Sequence, residues 1–285
     1  MHLNMAASEK QLQIVKSSGE KAVFSFDKLR ASLKKSGAGD EVVDGILDKI
    51  REELYQGIST REVYNRAYAL LKKEQGVYAS KYKLKKALYE LGPTGFPFER
   101  FIAAVLSYSG YKTKVGAVVR GHCVHHEVDV LAEKNGQAIM VECKFHGDAA
   151  RKCDVKVPLY IHSRYQDIKI QWNGDGTKLP LAAGWVATNT QFTSDAIDYG
   201  RCVGLYLLSW DYPANDALKD RIDRLGLYPL TVSDLLSARE KEYLLGRDVV
   251  LLRQLYKEPH LLDHMGASEG RKRKILKEIK ALCIP

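Results

Sequence analysis

The stretch "HEVDVLAEKNGQAIMVECKF", residues 126–145, constrains the fold more than any other part of the chain. Asn135 and Gly136 separate two strand-like runs that are rich in apolar residues. This pair is typical of a type I′ turn, because both central residues of that turn need a positive φ. The sequence therefore predicts a β-hairpin whose register is fixed by a two-residue turn.

Charged residues interrupt the apolar runs of this hairpin. The predicted register sets Asp129 opposite Glu142, and Glu127 opposite Lys144. Because side chains alternate along a strand, Glu142 and Lys144 share one face. Two opposed carboxylates repel each other, and a divalent cation such as Mg²⁺ offsets that repulsion. We interpret the charged face as a metal site; the alternative is a solvated outer face of the sheet.

These residues resemble a known nuclease superfamily. Asp129 followed by Glu142-Cys143-Lys144 resembles the D…(D/E)-x-K signature of the PD-(D/E)XK nucleases. The segments "GPTGFPFERFIAAVLSYSGY", "VVRGHCVHHEVDVLA" and "VECKF" resemble the Mrr-like restriction endonuclease branch. The resemblance implies that Asp129 and Glu142 hold Mg²⁺ or Mn²⁺, with the Cys143 carbonyl as a further ligand. It also implies that Lys144 acts on the attacking water or on phosphate charge, and that Glu99 helps to bind metal or water.

The order of elements from Gly92 onward agrees with that resemblance. We expect helix, strand, hairpin, helix, strand, a helix from Ser194, and a final strand "GLYLLSW". This order predicts an α/β domain over residues 91–212, with a mixed central sheet flanked by helices. Arg164 and Lys156 are expected on the helix after the hairpin and exposed to solvent; approach to a phosphate backbone is the alternative.

The first ninety residues predict a different kind of domain. "LQIVKSSGEKAVFSFDKLRASLKKSG" predicts two short strands around Ser18-Gly19, followed by a helix that begins near Asp27. Another helix is expected after "GIST", with Ser59 or Thr60 as N-cap. The segment 1–90 is therefore predicted to be a small strand pair followed by helices.

This segment resembles the ATP-cone, a nucleotide-binding regulatory domain. The matching words are "IVKSSGEKAVFSFDKL", "GIST" and "ASKYKLKKALYELG". The resemblance implies that Lys16 and Lys28 contact the phosphates of ATP or dATP and that Thr60 lies near the base. Two departures from the usual pattern, Ala22 and Ser59, leave the nucleotide preference open. The alternative is a helical interaction domain with ordinary surface lysines.

Several histidines and cysteines near the hairpin raise the question of zinc. They are His122, Cys123, His125, His126, Cys143 and His146. Structural zinc sites usually combine two ligand pairs at CxxC or HxxxH spacing; His122 and His126 have the second spacing, but a CxxC pair is absent, so zinc is not expected. His125 is expected on the side of the hairpin that carries Asp129, where it lines the charged face or contacts substrate, and His126 on the other side.

Residues 213–285 are Leu-rich and are predicted to be helical, with breaks at Pro229, Pro259 and Gly266. Two basic runs, "SKYKLKKALYE" and "RKRKILKEIK", are either solvated helix faces or DNA contacts. The second run lies in the C-terminal segment, which either grips a DNA backbone or packs against a second subunit. We expect a homo-oligomer, with a dimer as the simplest case.

Composition limits the class of protein. The net charge of +9 favours a polyanionic partner such as DNA. Five scattered cysteines without a CxxC pair indicate reduced thiols. The chain lacks an apolar run near the roughly 20 residues that span a bilayer, and "MHLNMAASEK" lacks the apolar core of a signal peptide. We therefore expect a cytoplasmic protein with no membrane partner.

Together these observations predict a multi-domain α+β chain with an ATP-cone, a restriction-endonuclease-like domain and a helical C-terminal domain. The predicted activity is that of a Mg²⁺-dependent endodeoxyribonuclease regulated by ATP or dATP. Two alternatives stay open. One is a nucleotide-sensing DNA-binding protein that does not cut, and the other is a nuclease acting on RNA or modified DNA.

Overall fold

The computed structural model describes residues 12–16, 19–176 and 178–284. The chain divides into two compact units, the first ending at Lys83 and the second beginning at Leu84. The segments 91–212 and 213–285 both lie within the second unit. The turn predicted at Ser18 and the N-terminal stretch "MHLNMAASEK" lie outside the described residues.

The first unit contains a strand pair followed by helices. Strands β1 (Gln13–Val15) and β2 (Lys21–Val23) are antiparallel. The helices are α1 (Phe26–Lys35), α2 (Asp40–Glu53), α3 (Thr60–Glu74) and α4 (Gly76–Tyr89), and α4 continues into the second unit. Apolar residues at helical spacing form the core of this unit, among them Leu33, Val43, Ile50, Ala67 and Leu71.

Serine hydroxyls begin two of these helices. Ser59 Oγ accepts the Glu62 amide at 3.1 Å, so the predicted N-cap of α3 is confirmed. Helix α1 begins at Phe26, one residue before the predicted start near Asp27. Ser25 is the N-cap, because its hydroxyl accepts the Lys28 amide, and Asp27 lies in the first turn.

The second unit is built on a five-stranded mixed sheet. Its strands are β3 (Lys112–Arg120), β4 (His125–Lys134), β5 (Gln137–Lys144), β7 (Leu181–Thr188) and β9 (Tyr206–Leu208), in the spatial order β3-β4-β5-β7-β9. The first three strands are antiparallel neighbours, while β5, β7 and β9 run parallel. A separate parallel pair joins β6 (Lys152–Cys153) to β8 (Gln191–Phe192). The expected mixed central sheet is thus present, with a shorter last strand than predicted.

Helices accompany these strands in the predicted order. Helix α5 (Phe96–Tyr108) precedes β3, α6 (Lys156–Gly174) connects β5 to β7, and α7 (Ser194–Cys202) connects β7 to β9. Thr193 caps α7, as its hydroxyl accepts the Ala196 amide. On α6, the buried residues Ile161, Tyr165 and Ile168 pack in one core cluster with Met140 of β5. This packing fixes α6 against the strand that carries the predicted acid and lysine.

The hairpin has the predicted turn and register. Asn135 and Gly136 have φ values of 52° and 75°, as a type I′ turn requires. Strands β4 and β5 pair from Lys134 with Gln137 to Val130 with Val141.

The C-terminal segment is mainly helical. Its α-helices are α8 (Leu218–Leu225), α9 (Ala238–Leu245), α10 (Gln254–Lys257), α11 (His260–His264) and α12 (Glu269–Cys283), with a 3₁₀ helix at Leu230–Val232. Pro229 and Pro259 directly precede helices, and Gly266 lies between α11 and α12 with φ 72°, so the predicted breaks are confirmed. Among the described residues, none of the helices combines the length and apolar character needed to cross a bilayer.

Candidate functional site

Strands β4 and β5 stop pairing at the position where the charged residues begin. The last ladder pair is Val130 with Val141. Beyond it, the amide of Cys143 donates to Asp129 Oδ2 at 2.6 Å. A carboxylate thus accepts the amide of Cys143 where the ladder has ended. The predicted register is correct, but the backbone pairing does not continue to Asp129 and Glu142.

Glu142 lies between two cationic side chains. Its side chain is only 5% exposed. Lys144 Nζ donates to Oε1 at 2.8 Å, and Arg164 Nη1 donates to Oε2 at 2.5 Å. Glu142 and Lys144 therefore interact directly, as their shared face predicted. A buried carboxylate is stabilised by such charge-assisted hydrogen bonds.

The side chain of Arg164 is less exposed than expected. Its side chain is 12% exposed and faces Glu142, so the expectation of solvent exposure is wrong. Its second nitrogen, Nη2, donates to the backbone carbonyl of Glu127 on β4. Arg164 therefore links α6 to both strands just beyond the end of their ladder. Lys156, at the start of the same helix, is exposed as expected.

The spacing of apolar residues along α6 indicates that Arg164 lies on the buried face of this helix. Ile161, Tyr165 and Ile168 form the buried face, and Arg164 stands three residues after Ile161 and four before Ile168. Residues at such spacing lie on one face of a helix. An arginine on a buried face needs a partner, and Glu142 supplies it.

Two carboxyls near Glu142 have raised pKa values. Burial and the charge of Glu142 raise the pKa of Asp129 to about 6, although the Cys143 amide, Lys144 and Arg164 oppose the shift. Burial raises the pKa of Glu99 to about 7, and the charges of Asp129, Glu127 and Glu142 add to the rise. Glu99 lies in the first turn of α5. These acids therefore share one electrostatic environment, in which each disfavours the negative charge of its neighbour.

The donor chemistry of Asp129 and Glu142 fits a hard divalent cation, which takes one or two carboxylates together with waters and phosphate oxygens. Within residues 12–16, 19–176 and 178–284, groups of three or more His, Cys, Asp or Glu side chains in a metal-holding arrangement are absent. A cation here would therefore take these two carboxylates together with other oxygens, such as the predicted Cys143 carbonyl, waters or phosphate. Lys144 and Arg164 each engage one oxygen of Glu142, so a cation would compete with two nearby positive charges for this carboxylate.

The neighbouring histidines and thiols have other partners. His126 Nε2 lies 2.7 Å from Asp167 Oδ2 on α6, while His125 is exposed beside Arg120. His146 Nε2 lies 3.2 Å from Cys153 Sγ. Cys143 is buried, and burial raises the pKa of its thiol well above the usual value. Its side chain is therefore protonated at neutral pH, and its backbone amide is the group that donates to Asp129.

The predicted nucleotide-contacting residues lie at two places in the first unit. Val15 and Ser59 form an isolated parallel bridge, and the Val15 amide donates to the Ile58 carbonyl at 3.0 Å. Lys16 follows Val15 directly, so this contact brings the backbone at Lys16 close to the start of α3. Thr60 is the first residue of that helix. Lys28 is exposed in the first turn of α1. Lys16 is also exposed, and its Nζ lies 2.9 Å from Glu20 Oε2.

Comparison with known proteins matches an N-terminal and a C-terminal segment of the chain to known families. Residues 12–90 match the ATP cone domain family, so the predicted ATP-cone is confirmed. Residues 228–283 match the family described as AF1548-like, C-terminal. An uncharacterized protein of Archaeoglobus fulgidus is 34% identical over 131 residues, which make up 46% of this chain and 70% of that protein. The chain belongs to the AF1548-like family.

A solved structure extends this AF1548-like relationship to the fold. The crystal structure of the protein of unknown function AF1548 shares 29% sequence identity with a TM-score of 0.54. The match covers 66% of this chain and 97% of the AF1548 chain. The ATP-cone indicates nucleotide binding of a regulatory kind in this chain.

Proposed function

We propose that this protein is a metal-dependent endonuclease that hydrolyses DNA phosphodiester bonds and is regulated by nucleotide binding at its ATP-cone. The observation that carries the proposal is the group formed by Asp129, Glu142 and Lys144 where strands β4 and β5 part. The mixed order of the five-stranded sheet supports the resemblance to restriction-endonuclease-like domains. The net charge of +9 favours a polyanionic substrate.

Each residue of the group has a chemical role in this proposal. Asp129 and Glu142 would hold Mg²⁺ or Mn²⁺, which supplies Lewis acidity toward phosphate and lowers the pKa of a bound water. Lys144 neutralises charge that develops on the phosphate, because its amine already lies beside the acids. Glu99, whose pKa is raised to about 7 by burial and by the neighbouring acids in the cation-free site, would help to bind the metal or its water.

The regulatory part of the proposal concerns ATP or dATP. Lys16 and Lys28 would contact the phosphates and Thr60 the base. A helix start suits phosphate because its free backbone amides and the positive end of the helix dipole point outward. Coupling to cleavage requires that the nucleotide bind two states of the protein with different affinity, such as two oligomeric states.

A second candidate is a nucleotide-sensing DNA-binding protein that does not cut. One observation favours it: both oxygens of Glu142 are held by cations of the protein itself. In that case Asp129, Glu142, Lys144 and Arg164 form a buried ionic cluster that organises the sheet without binding a metal.

The deciding experiment incubates the full chain with supercoiled plasmid, single-stranded DNA, modified DNA and RNA. Each substrate is tested with Mg²⁺ or Mn²⁺, and with or without ATP. We expect cation-dependent cleavage of at least one DNA substrate, and loss of that cleavage in Glu142→Gln. Glu133→Gln is the matched control, because Glu133 is exposed near the turn end of the same hairpin. DNA binding without cleavage under every condition would favour the second candidate.

A further inference from the structure

The side chain of Arg164 contacts the same carboxylate, Glu142, that is proposed to bind the cation. It is the buried positive charge on α6 that reaches Glu142 Oε2, at 2.5 Å, while Lys144 holds Oε1 from the same strand. Lys144 is 31% exposed and Arg164 only 12%. Arg164 is therefore the less solvated of the two partners, and its electrostatic effect on Glu142 is the less screened.

Arg164 also holds the two strands in place where their ladder has ended. One guanidinium nitrogen donates to Glu142 on β5 and the other to the Glu127 carbonyl on β4. Glu127 stands two residues before Asp129, so this bridge ties the β4 backbone near Asp129 to the Glu142 side chain of β5. The planar guanidinium can reach two acceptors at once, whereas a lysine amine is a single point of charge.

We propose that Arg164 is a positioning residue that acts as an internal counter-ion of Glu142 and sets the affinity of the site for a divalent cation. This inference rests on the proposed function, because it takes Asp129 and Glu142 as the residues that receive the cation. Arg164 orders the Glu142 carboxylate in the absence of metal. It also repels an incoming cation and gives up Oε2 when the cation binds. The two roles oppose each other: Arg164 preorganises the site and weakens its affinity for metal.

The test measures Mn²⁺ binding to the full chain without DNA, by calorimetry and by the electron paramagnetic resonance signal of free Mn²⁺. Arg164→Met removes the competing charge with a side chain of similar length. We expect Mn²⁺ to bind about tenfold more tightly than to the wild type, because one nearby buried positive charge is gone. Lys156→Met is the matched control, since it removes one positive charge from an exposed position of the same helix. That control should change the affinity less than about twofold.

A second variant covers the case in which Arg164→Met fails to fold, as judged by circular dichroism and thermal unfolding. Arg164→Lys keeps a positive charge but cannot bridge Glu127 and Glu142 together. A lysine amine is more strongly hydrated than a guanidinium and would compete less for Oε2, so we expect this variant to bind Mn²⁺ about threefold more tightly than the wild type and less tightly than Arg164→Met. A purely structural role for Arg164 would weaken Mn²⁺ binding in both variants, because the acids would lose their order.

The outcomes separate this inference from the proposed function. Unchanged or weaker Mn²⁺ binding in the folded Arg164 variants would overturn the inference while leaving any DNA cleavage by the wild type intact. Equal tightening in Lys156→Met would overturn it too, because the effect would then be one of net charge. Tighter binding in Arg164→Met with no cleavage by the wild type would support the inference and contradict the nuclease proposal. Absence of Mn²⁺ binding in the wild type and in both Arg164 variants would contradict both.

Discussion

Arg164 Nη1 lies 2.5 Å from Glu142 Oε2, which joins the helix after the hairpin to the strand that carries the predicted acid and lysine. Glu142 is buried, and Lys144 engages its other oxygen. Removal of the carboxylate would therefore leave Arg164 as a poorly solvated charge without its partner. Glu142→Gln is therefore a better variant for the cleavage assay than Glu142→Ala. Glutamine keeps an oxygen acceptor for one of the two cations, whereas alanine removes the Glu142 acceptor of both and leaves Arg164 with only the Glu127 carbonyl.

Lys144→Ala should abolish cation-dependent DNA cleavage and leave the protein folded. The fold should survive because Arg164 still neutralises Glu142, so the expected cost in the free energy of unfolding is about 1 kcal/mol. Cleavage should fall at least about a hundredfold, because the phosphate charge loses its neutralising amine. Gel analysis of plasmid nicking and a thermal melt measure the two effects. Lys112→Ala is the control, since Lys112 is exposed on β3 of the same sheet. Undiminished nicking by Lys144→Ala would show that Lys144 has no role in cleavage.

Asp129→Asn should make the protein more stable above pH 6. The pKa of Asp129 rises from 3.8 in the unfolded chain to about 6 in the folded protein. Between those values the folded state binds more protons, so the free energy of unfolding falls as the pH rises through this window. Asparagine still accepts the Cys143 amide but carries no charge. We expect a gain on the order of 1–3 kcal/mol at pH 7 and almost none at pH 3.5.

Urea unfolding of Asp129→Asn at several pH values measures this difference. Glu133→Gln serves as control, because Glu133 is exposed on the same strand and its replacement should not alter the pH profile of stability. A wild type and an Asp129→Asn variant with parallel profiles from pH 3.5 to 7 would show that Asp129 is not held in a repulsive site.

The local parts of this fold were predictable from the sequence, and the long-range parts were not. The Asn135-Gly136 turn and the register of β4 with β5 depend on residues close in the chain. The end of their ladder depends on tertiary structure. Gly116 of β3 has φ 63° between two paired positions, Val115 with Val130 and Ala117 with Val128, so it stands beside Asp129. Within the described strands β3 and β5, Asp129 therefore has no ladder partner, and nothing in the hairpin sequence indicates this.

Arg164 shows the same limit at the candidate site. Its partner Glu142 is 22 residues away in sequence, and the contact exists only because α6 packs on the sheet through Ile161 and Tyr165. In contrast, the pairing of Lys144 with Glu142 follows from the alternation of side chains along β5. Side-chain contacts within one strand could be predicted, while contacts between the strand and the helix required the packed structure.

Arg271→Met should destabilise the second unit and reduce its resistance to acid. Arg271 contacts both oxygens of Glu240, at 2.5 and 2.6 Å, and so links α12 to α9. The arginine lowers the pKa of Glu240 to about 2. The pair therefore contributes stability above about pH 4.5, which is lost as the pH falls toward 2. The expected cost at pH 7 is about 1–2 kcal/mol, limited by the partial exposure of Arg271.

Thermal unfolding at pH 7 and pH 2.5 measures this cost. Arg273→Met is the matched control, because Arg273 is exposed two residues further along the same helix. The pH 7 difference between Arg271→Met and the wild type should shrink at pH 2.5, where Glu240 gains protons in both proteins. Equal destabilisation by Arg273→Met would instead point to the net charge of α12.

Lys28→Ala and Thr60→Ala should weaken ATP binding to the full chain. Lys28 is exposed in the first turn of α1, and Thr60 begins α3 beside the Val15–Ser59 bridge. Loss of one lysine contact to a phosphate should lower the affinity about tenfold, and loss of the threonine hydroxyl about threefold to tenfold. Calorimetric titration with ATP and dATP measures both effects. Lys49→Ala is the control, as Lys49 is exposed on α2 and belongs to neither helix start. Wild-type affinity in both variants would show that the nucleotide binds elsewhere in the ATP-cone, because the side chains at the starts of α1 and α3 would then not contact it.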